Sequence, residues 1–238
     1  MPSKEKNSQH DSRIRQIIAT GQDAVVNYAN KVLKRSTNPV VASKSYRYLA
    51  RQVALDLAEI ESGKSIVFSS VTDINTNSEI LLMFSHFLQD ELTSRVLIID
   101  ATFKTSGLTR LLNLKECPGI IDVLSNEGDN RSIDSVIHPL KENIAFIAAG
   151  NVTKQKLPYI SIKQIKPLID KLKQEYEYVI IQQDNIRLDT RYLPFAKSAD
   201  LVLLHIEERN TPISSFDSAK ELFFDHQITK VKYILSEP

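Results

Sequence analysis

Up to residue 62 the apolar positions of this chain recur at helical spacing; beyond it they collect in short runs that are apolar on both faces. Residues 1–10 are polar and predict a disordered tail. From Ile14 to Leu33, the positions Ile14, Ile17, Ile18, Val25, Ala29 and Val32 fit one face of a helix, and Ser36 to Pro39 (S-T-N-P) break the pattern. A second helix is predicted over Ser43–Ile60, with Tyr46, Leu49, Val53, Leu55 and Leu57 near its buried side and a stop at Ser62-Gly63. Residues 11–62 therefore read as an N-terminal helical segment and 63–238 as a separate α/β domain.

In that second part, strands are predicted at Ser65–Ser69, Arg95–Asp100, Ile144–Ala149, Tyr178–Ile181, Leu201–Ile206 and Val231–Leu235. Helices are predicted near Ser78–Leu92, Leu108–Leu112, Ile120–Ser125, Ser161–Glu175, Thr190–Lys197 and Ser214–His226. Strands without a polar face, separated by helices, call for a mostly parallel sheet covered on both sides. The fold class is a doubly wound α/β sheet flanked by helices, and ligands of such folds sit at the carboxyl ends of the strands.

Composition narrows the partners. Thirty basic residues against 29 acidic ones leave no global field for nucleic acid or an anionic membrane. The single Cys117 excludes a disulfide framework and any multi-cysteine metal site. No apolar run approaches the roughly 20 residues that span a bilayer, and the first residues lack the apolar core of a signal peptide. A soluble, cytoplasmic protein is expected, with membrane contact only through a partner.

Five segments carry a resemblance. They are Val96–Lys104 (V-L-I-I-D-A-T-F-K), Leu108–Leu124 (containing P-G-I-I-D-V-L), Ile144–Gly150 (ending A-A-G), Tyr176–Ile181 and Ala199–Thr211. In this order they resemble the cytoplasmic domain of bacterial tyrosine autokinases, regulators of capsule and exopolysaccharide export within the deviant-Walker P-loop ATPase group. The resemblance implies a P-loop NTPase-like sheet and a phosphate loop after the first strand.

The family's catalytic positions are mostly replaced. A phosphate loop needs glycines whose backbone N–H groups surround the phosphates, a lysine on their oxygens and a hydroxyl on Mg²⁺. The family pattern P-G-E-G-K-S-T falls on Thr72 to Ser78: Asp73 and Asn75 stand for the glycines, Thr76 for the lysine and Asn77 for the magnesium hydroxyl, before Ser78. A like charge at about 4 Å near a surface costs around 4 kcal/mol, so Asp73 opposes a polyphosphate. Gln182 stands where a metal-shell carboxylate is expected, and Thr102 replaces the second aspartate of the family's D-A-D. Asp100 survives with the basic Lys104. No counterpart to the tyrosine-rich tail of the autokinases is expected, and their E-x-x-R-x-x-R assembly motif falls on Lys44, Arg47 and Ala50.

Plainer readings stand beside these. Asp100 equally suits a cap for the next helix or a partner for Lys104. Asp184 and Asp189 read as turn formers or, in a shifted register, as metal ligands. His205 reads as a hydrogen-bonded core histidine; His86 and His138 carry no partner pattern. The Tyr46–Arg51 stretch (Y-R-Y-L-A-R) reads as an amphipathic partner-binding surface, with Tyr46, Arg47 and Arg51 as its contacts.

The expectation is a catalytically degenerate member of the autokinase group without a cofactor. It would act as a partner in exopolysaccharide export, docking on a transmembrane chain-length regulator or another export-complex protein at the inner face of the membrane. A homo-oligomer is compatible with it. One alternative keeps ATP and Mg²⁺ through Asp100, Ser78 and Lys104, with residual autokinase or ATPase activity; another is a positioning scaffold related to partitioning ATPases. A different anion at the Ser69–Ser78 turn also remains open.

Overall fold

The alternation of apolar runs folds into one seven-stranded sheet in the computed structural model, which describes residues 39–71, 77–105, 107–125, 132–150, 159–187, 189–207 and 210–236. The predicted first helix and the polar tail lie outside the described residues. The elements are α1 (Pro39–Asp56), β1 (Lys64–Ser70), α2 (Asn77–Leu92), β2 (Val96–Ala101), α3 (Gly107–Leu111), α4 (Ile120–Leu124), β3 (Ile137–Lys141), β4 (Ile144–Ile147), α5 (Ile162–Leu172), β5 (Tyr178–Gln183), α6 (Leu193–Ser198), β6 (Leu201–Glu207), α7 (Ile213–Asp225) and β7 (Val231–Ser236). Two short 3₁₀ turns, Ile133–Val136 and Thr190–Tyr192, precede β3 and α6.

The strand order is β3-β4-β2-β5-β1-β6-β7, parallel throughout except for β3 on β4. Alternate residues of the central strands feed opposite cores, as a pleated sheet buried on both faces requires. Val67, Ile99, Val179 and Ile181 pack against α4, α5, α6 and α7 on one face. Ile66, Phe68, Val96, Ile98 and Ile180 pack against α1, α2 and α3 on the other. The expected doubly wound α/β class is the observed one.

Three local differences have physical causes. β3 was missed because Pro139 lies in its middle; at the sheet edge a missing N–H costs no ladder bond, so proline is tolerated there. The helix expected from Ser43 to Ile60 runs from Pro39 to Asp56, with Pro39 as its first residue, a position that needs no N–H partner. Its buried face holds Ala50 and Val53, with Leu57 buried just past its end, whereas Leu55, expected inward, is 69% exposed. β5 extends two residues beyond Ile181, carrying Gln182 and Gln183 into the ladder beside Asp100 and Ala101.

His205 is the buried core histidine expected of it. Its Nε2 lies 2.7 Å from Ser236 Oγ on the neighbouring β7. Burial holds its pKa down at about 4, against a weaker upward pull from Glu207. A histidine whose folded pKa lies below the unfolded value near 6.5 stabilises the fold above that value and loses the contribution as pH falls toward 4. Urea unfolding at pH 7 and pH 4.5 should show His205→Asn abolishing roughly 2 kcal/mol of the pH-dependent stability loss of the parent protein.

Candidate functional site

The carboxyl ends of β1, β2 and β5 bring Asp100, Gln182 and Ser78 to the edge where this fold class places its ligand. Asp73, Asn75 and Thr76 lie outside the described residues; Asn77 opens α2, and its side chain is likewise outside them.

Asp100 is fully buried at the end of β2 and receives four hydrogen bonds. Thr102 N donates to Oδ1 at 2.9 Å, joined by the Thr102 hydroxyl. Thr109 N and Thr109 Oγ1 each donate to Oδ2 at 2.7 Å. The two hydroxyls in turn accept from backbone: Gly107 N donates to Thr102 Oγ1 at 2.7 Å and Ala149 N to Thr109 Oγ1 at 2.8 Å. Each hydroxyl hydrogen is therefore left for the carboxylate, and four converging hydrogens match an ionised acceptor. Burial pushes the Asp100 pKa up, and the threonine hydrogen bonds oppose that shift. The alternative pairing with Lys104 is not formed: Lys104 is exposed, and its backbone N donates to Asp184 Oδ2 at 2.9 Å. The helix-capping alternative is realised through Thr109, in the first turn of α3.

Gln182 faces the same side of the sheet as its register partner Asp100. Its Nε2 donates to Ser78 Oγ at 2.8 Å, inside the first turn of α2. Gly107 closes over this pair: a Cβ there would lie 2.9 Å from Ser78 Oγ and 3.5 Å from Thr102 Oγ1. The Gln182–Ser78 contact is neutral on both sides.

A second set of bonds fixes the neighbouring loops. Asp184 accepts from Lys104 N, from Thr105 Oγ1 at 3.1 Å and from the Tyr192 hydroxyl. Burial, followed by the Asp184 charge, raises the Tyr192 pKa. Asp189 is gripped by Arg191, with Nε to Oδ1 at 2.8 Å, which holds its pKa down. Both aspartates thus answer internal donors, in place of the metal-ligand reading. Val71 O, at the entrance to the turn, accepts from Asn185 Nδ2 at 2.9 Å and Arg187 Nη1 at 3.3 Å. Neither this clamp nor Thr109 shows in the sequence: the clamp joins the segments after β1 and β5, and Thr109 reaches Asp100 only once α3 folds back over the end of β2.

The P-G-I-I-D-V-L and A-A-G segments meet directly. Ile120 N donates to Ala148 O at 2.8 Å, and a Cβ on Gly119 would fall 2.0 Å from that oxygen. Gly150 has φ of +88°, and a Cβ there would strike Asp122 Oδ2 at 2.4 Å. Both glycines permit the close approach of α4 to the end of β4.

The surface expected at Tyr46–Arg51 is engaged within the chain. Tyr46 stacks on Phe87 of α2, and Arg47 and Arg51 both pair with Glu91, at 2.8 and 2.6 Å. Both guanidinium groups stay more than half exposed. Such pairs contribute little, about 0 to 1 kcal/mol each.

No family model matches the chain. A tyrosine-protein kinase, ptk, of Acinetobacter johnsonii is 26% identical over 122 residues, 51% of this chain and 14% of that protein. The matched stretch thus spans about a seventh of that relative's length. The kinase domain of the Escherichia coli tyrosine kinase ETK superposes with a TM-score of 0.67 at 15% identity, covering 82% of this chain and 75% of that one. A putative plasmid partition protein of Borrelia burgdorferi, bound to AMPPNP, superposes with a TM-score of 0.59 at 17% identity, covering 74% and 76%. The resemblance to bacterial tyrosine kinase domains therefore holds in sequence and in fold, and the P-loop NTPase-like sheet is shared with the partition protein.

Gln182→Asp would set a second carboxylate beside Asp100 in the same buried layer. At about 4 to 5 Å this repulsion amounts to roughly 3 to 4 kcal/mol. Denaturation at pH 7 should show a loss of that order, with Gln182→Asn losing less, and the difference should shrink as the pH is lowered toward 5.

Proposed function

We propose that this protein is a catalytically degenerate relative of the tyrosine autokinases that acts by binding, as a cytoplasmic regulator or partner in exopolysaccharide export. A transmembrane chain-length regulator or another export-complex protein would be its docking partner, at the inner face of the membrane. The observation that carries the reading is the occupancy of the strand-end groups: Asp100 accepts from four internal donors, and Gln182 is bonded to Ser78. Phosphoryl transfer rests on positioning the phosphates and neutralising their charge with metal and lysine. Asp100 already has its donors, an amide stands at Gln182, and a threonine and an aspartate stand at positions 76 and 73. A binding role also agrees with the outward side of α1, where Tyr48 and Leu55 are 67% and 69% exposed. Among the described residues no helix is long and apolar enough to cross a membrane, so membrane recruitment is assigned to the partner.

A thermal-shift titration with Mg-ATP tests this reading. A site filled at a hundred times its Kd would add about 2.7 kcal/mol of stability. The expected result at millimolar Mg-ATP is an unchanged Tm and no tyrosine phosphorylation. A saturable rise would instead favour retained nucleotide binding.

A further inference from the structure

We propose that β7 is a self-association edge, at which a second copy of this chain continues the sheet in antiparallel register centred on Ile234. The strand is the last in the sheet order and, among the described residues, pairs only with β6. Val202 N donates to Lys230 O at 2.8 Å, so the even-numbered residues 230, 232 and 234 turn their backbone groups toward β6. By alternation, Tyr233 and Leu235 turn theirs outward, whereas the Val231 N–H is taken by Thr229 O at 3.2 Å.

The side chains mark this edge as well. Tyr233 is 48% and Leu235 68% exposed on the face covered by α7. Phe216 of α7 meets the Tyr233 ring edge-on at 5.2 Å. Ile213, 79% exposed, lies one turn before Phe216 and extends the apolar stripe along the helix. Natural edges are usually blunted by charge. The one charged residue of β7, Lys232, points to the opposite face and is paired with Asp56 of α1.

A second copy suits this strand better than an unrelated extended peptide because the strand complements itself. With Ile234 on the two-fold axis, Tyr233 stands opposite Leu235 of the second copy and Lys232 opposite its Ser236. Aromatic and aliphatic side chains then meet directly, and no like charges oppose. The outward residues 233 and 235 form the hydrogen-bonded pairs, and Ile234 meets its own copy at a non-hydrogen-bonded position, where Cα atoms approach to about 4.5 Å. The axis stands normal to the sheet, so α7 of each copy lies on the same face, with the Phe216 turns as neighbours.

Sedimentation of the full chain over a concentration series tests the proposal, and it should show reversible dimers. Leu235→Lys, whose side chain is exposed and outside the core, should weaken association about tenfold or more while leaving Tm unchanged. Ile234→Cys should give a disulfide-linked dimer under mild oxidation, since the pair falls within disulfide reach, whereas Lys232→Cys, facing Ser236, should not. A monomer at every concentration would overturn the proposal. So would dimers insensitive to Leu235→Lys, or dimers cross-linked equally well through both cysteine variants.

Discussion

The arrangement at the top of the sheet depends on the charge at Asp100. A carboxylate at the end of a central strand, shut away from water, is costly unless donors surround it. Here those donors come from two threonines, and each threonine links the carboxylate to a further backbone N–H. Through Thr102 the charge fixes the turn that leads to Gly107 and α3. Through Thr109 it holds the first turn of α3 against the end of β4, where Gly119 and Gly150 allow α4 to approach. One ionised group thus sets the relative positions of β2, β4, α3 and α4.

The same charge explains why an amide suits position 182. Where a cation lies between two strand-end carboxylates, their repulsion is screened by the metal. Without one, a second acid beside Asp100 would raise the energy of the folded state, and Gln182 satisfies Ser78 with no added charge.

Much of the fold was legible in the sequence because strands apolar on both faces, divided by amphipathic stretches, leave few arrangements other than a covered parallel sheet. Six strands were found close to their limits. β3 was hidden by Pro139, and the end of β5 by two glutamines of low strand preference. Inside the site, Asp100 and Gln182 could be located by their places at strand ends, but their partners could not. Thr109 lies nine residues from Asp100 and Ser78 lies 104 from Gln182, and no local pattern announces contacts between a helix start and a strand end. The Tyr46–Arg51 stretch shows the converse difficulty. Its alternation of aromatic and basic residues suggested a partner, while Phe87 and Glu91 of the neighbouring helix supply one within the chain.

Two exposed apolar surfaces stand beside this edge: the outer side of α1, with Tyr48 and Leu55, and β7, with Tyr233 and Leu235. The central claim is that the Asp100 network is complete without a ligand, and amide hydrogen exchange at Thr102 and Thr109 tests it most directly. Complete bonding predicts strong protection of both N–H groups in the free protein, unchanged by Mg-ATP. Rapid exchange in the free protein, slowed only when Mg-ATP is added, would contradict it.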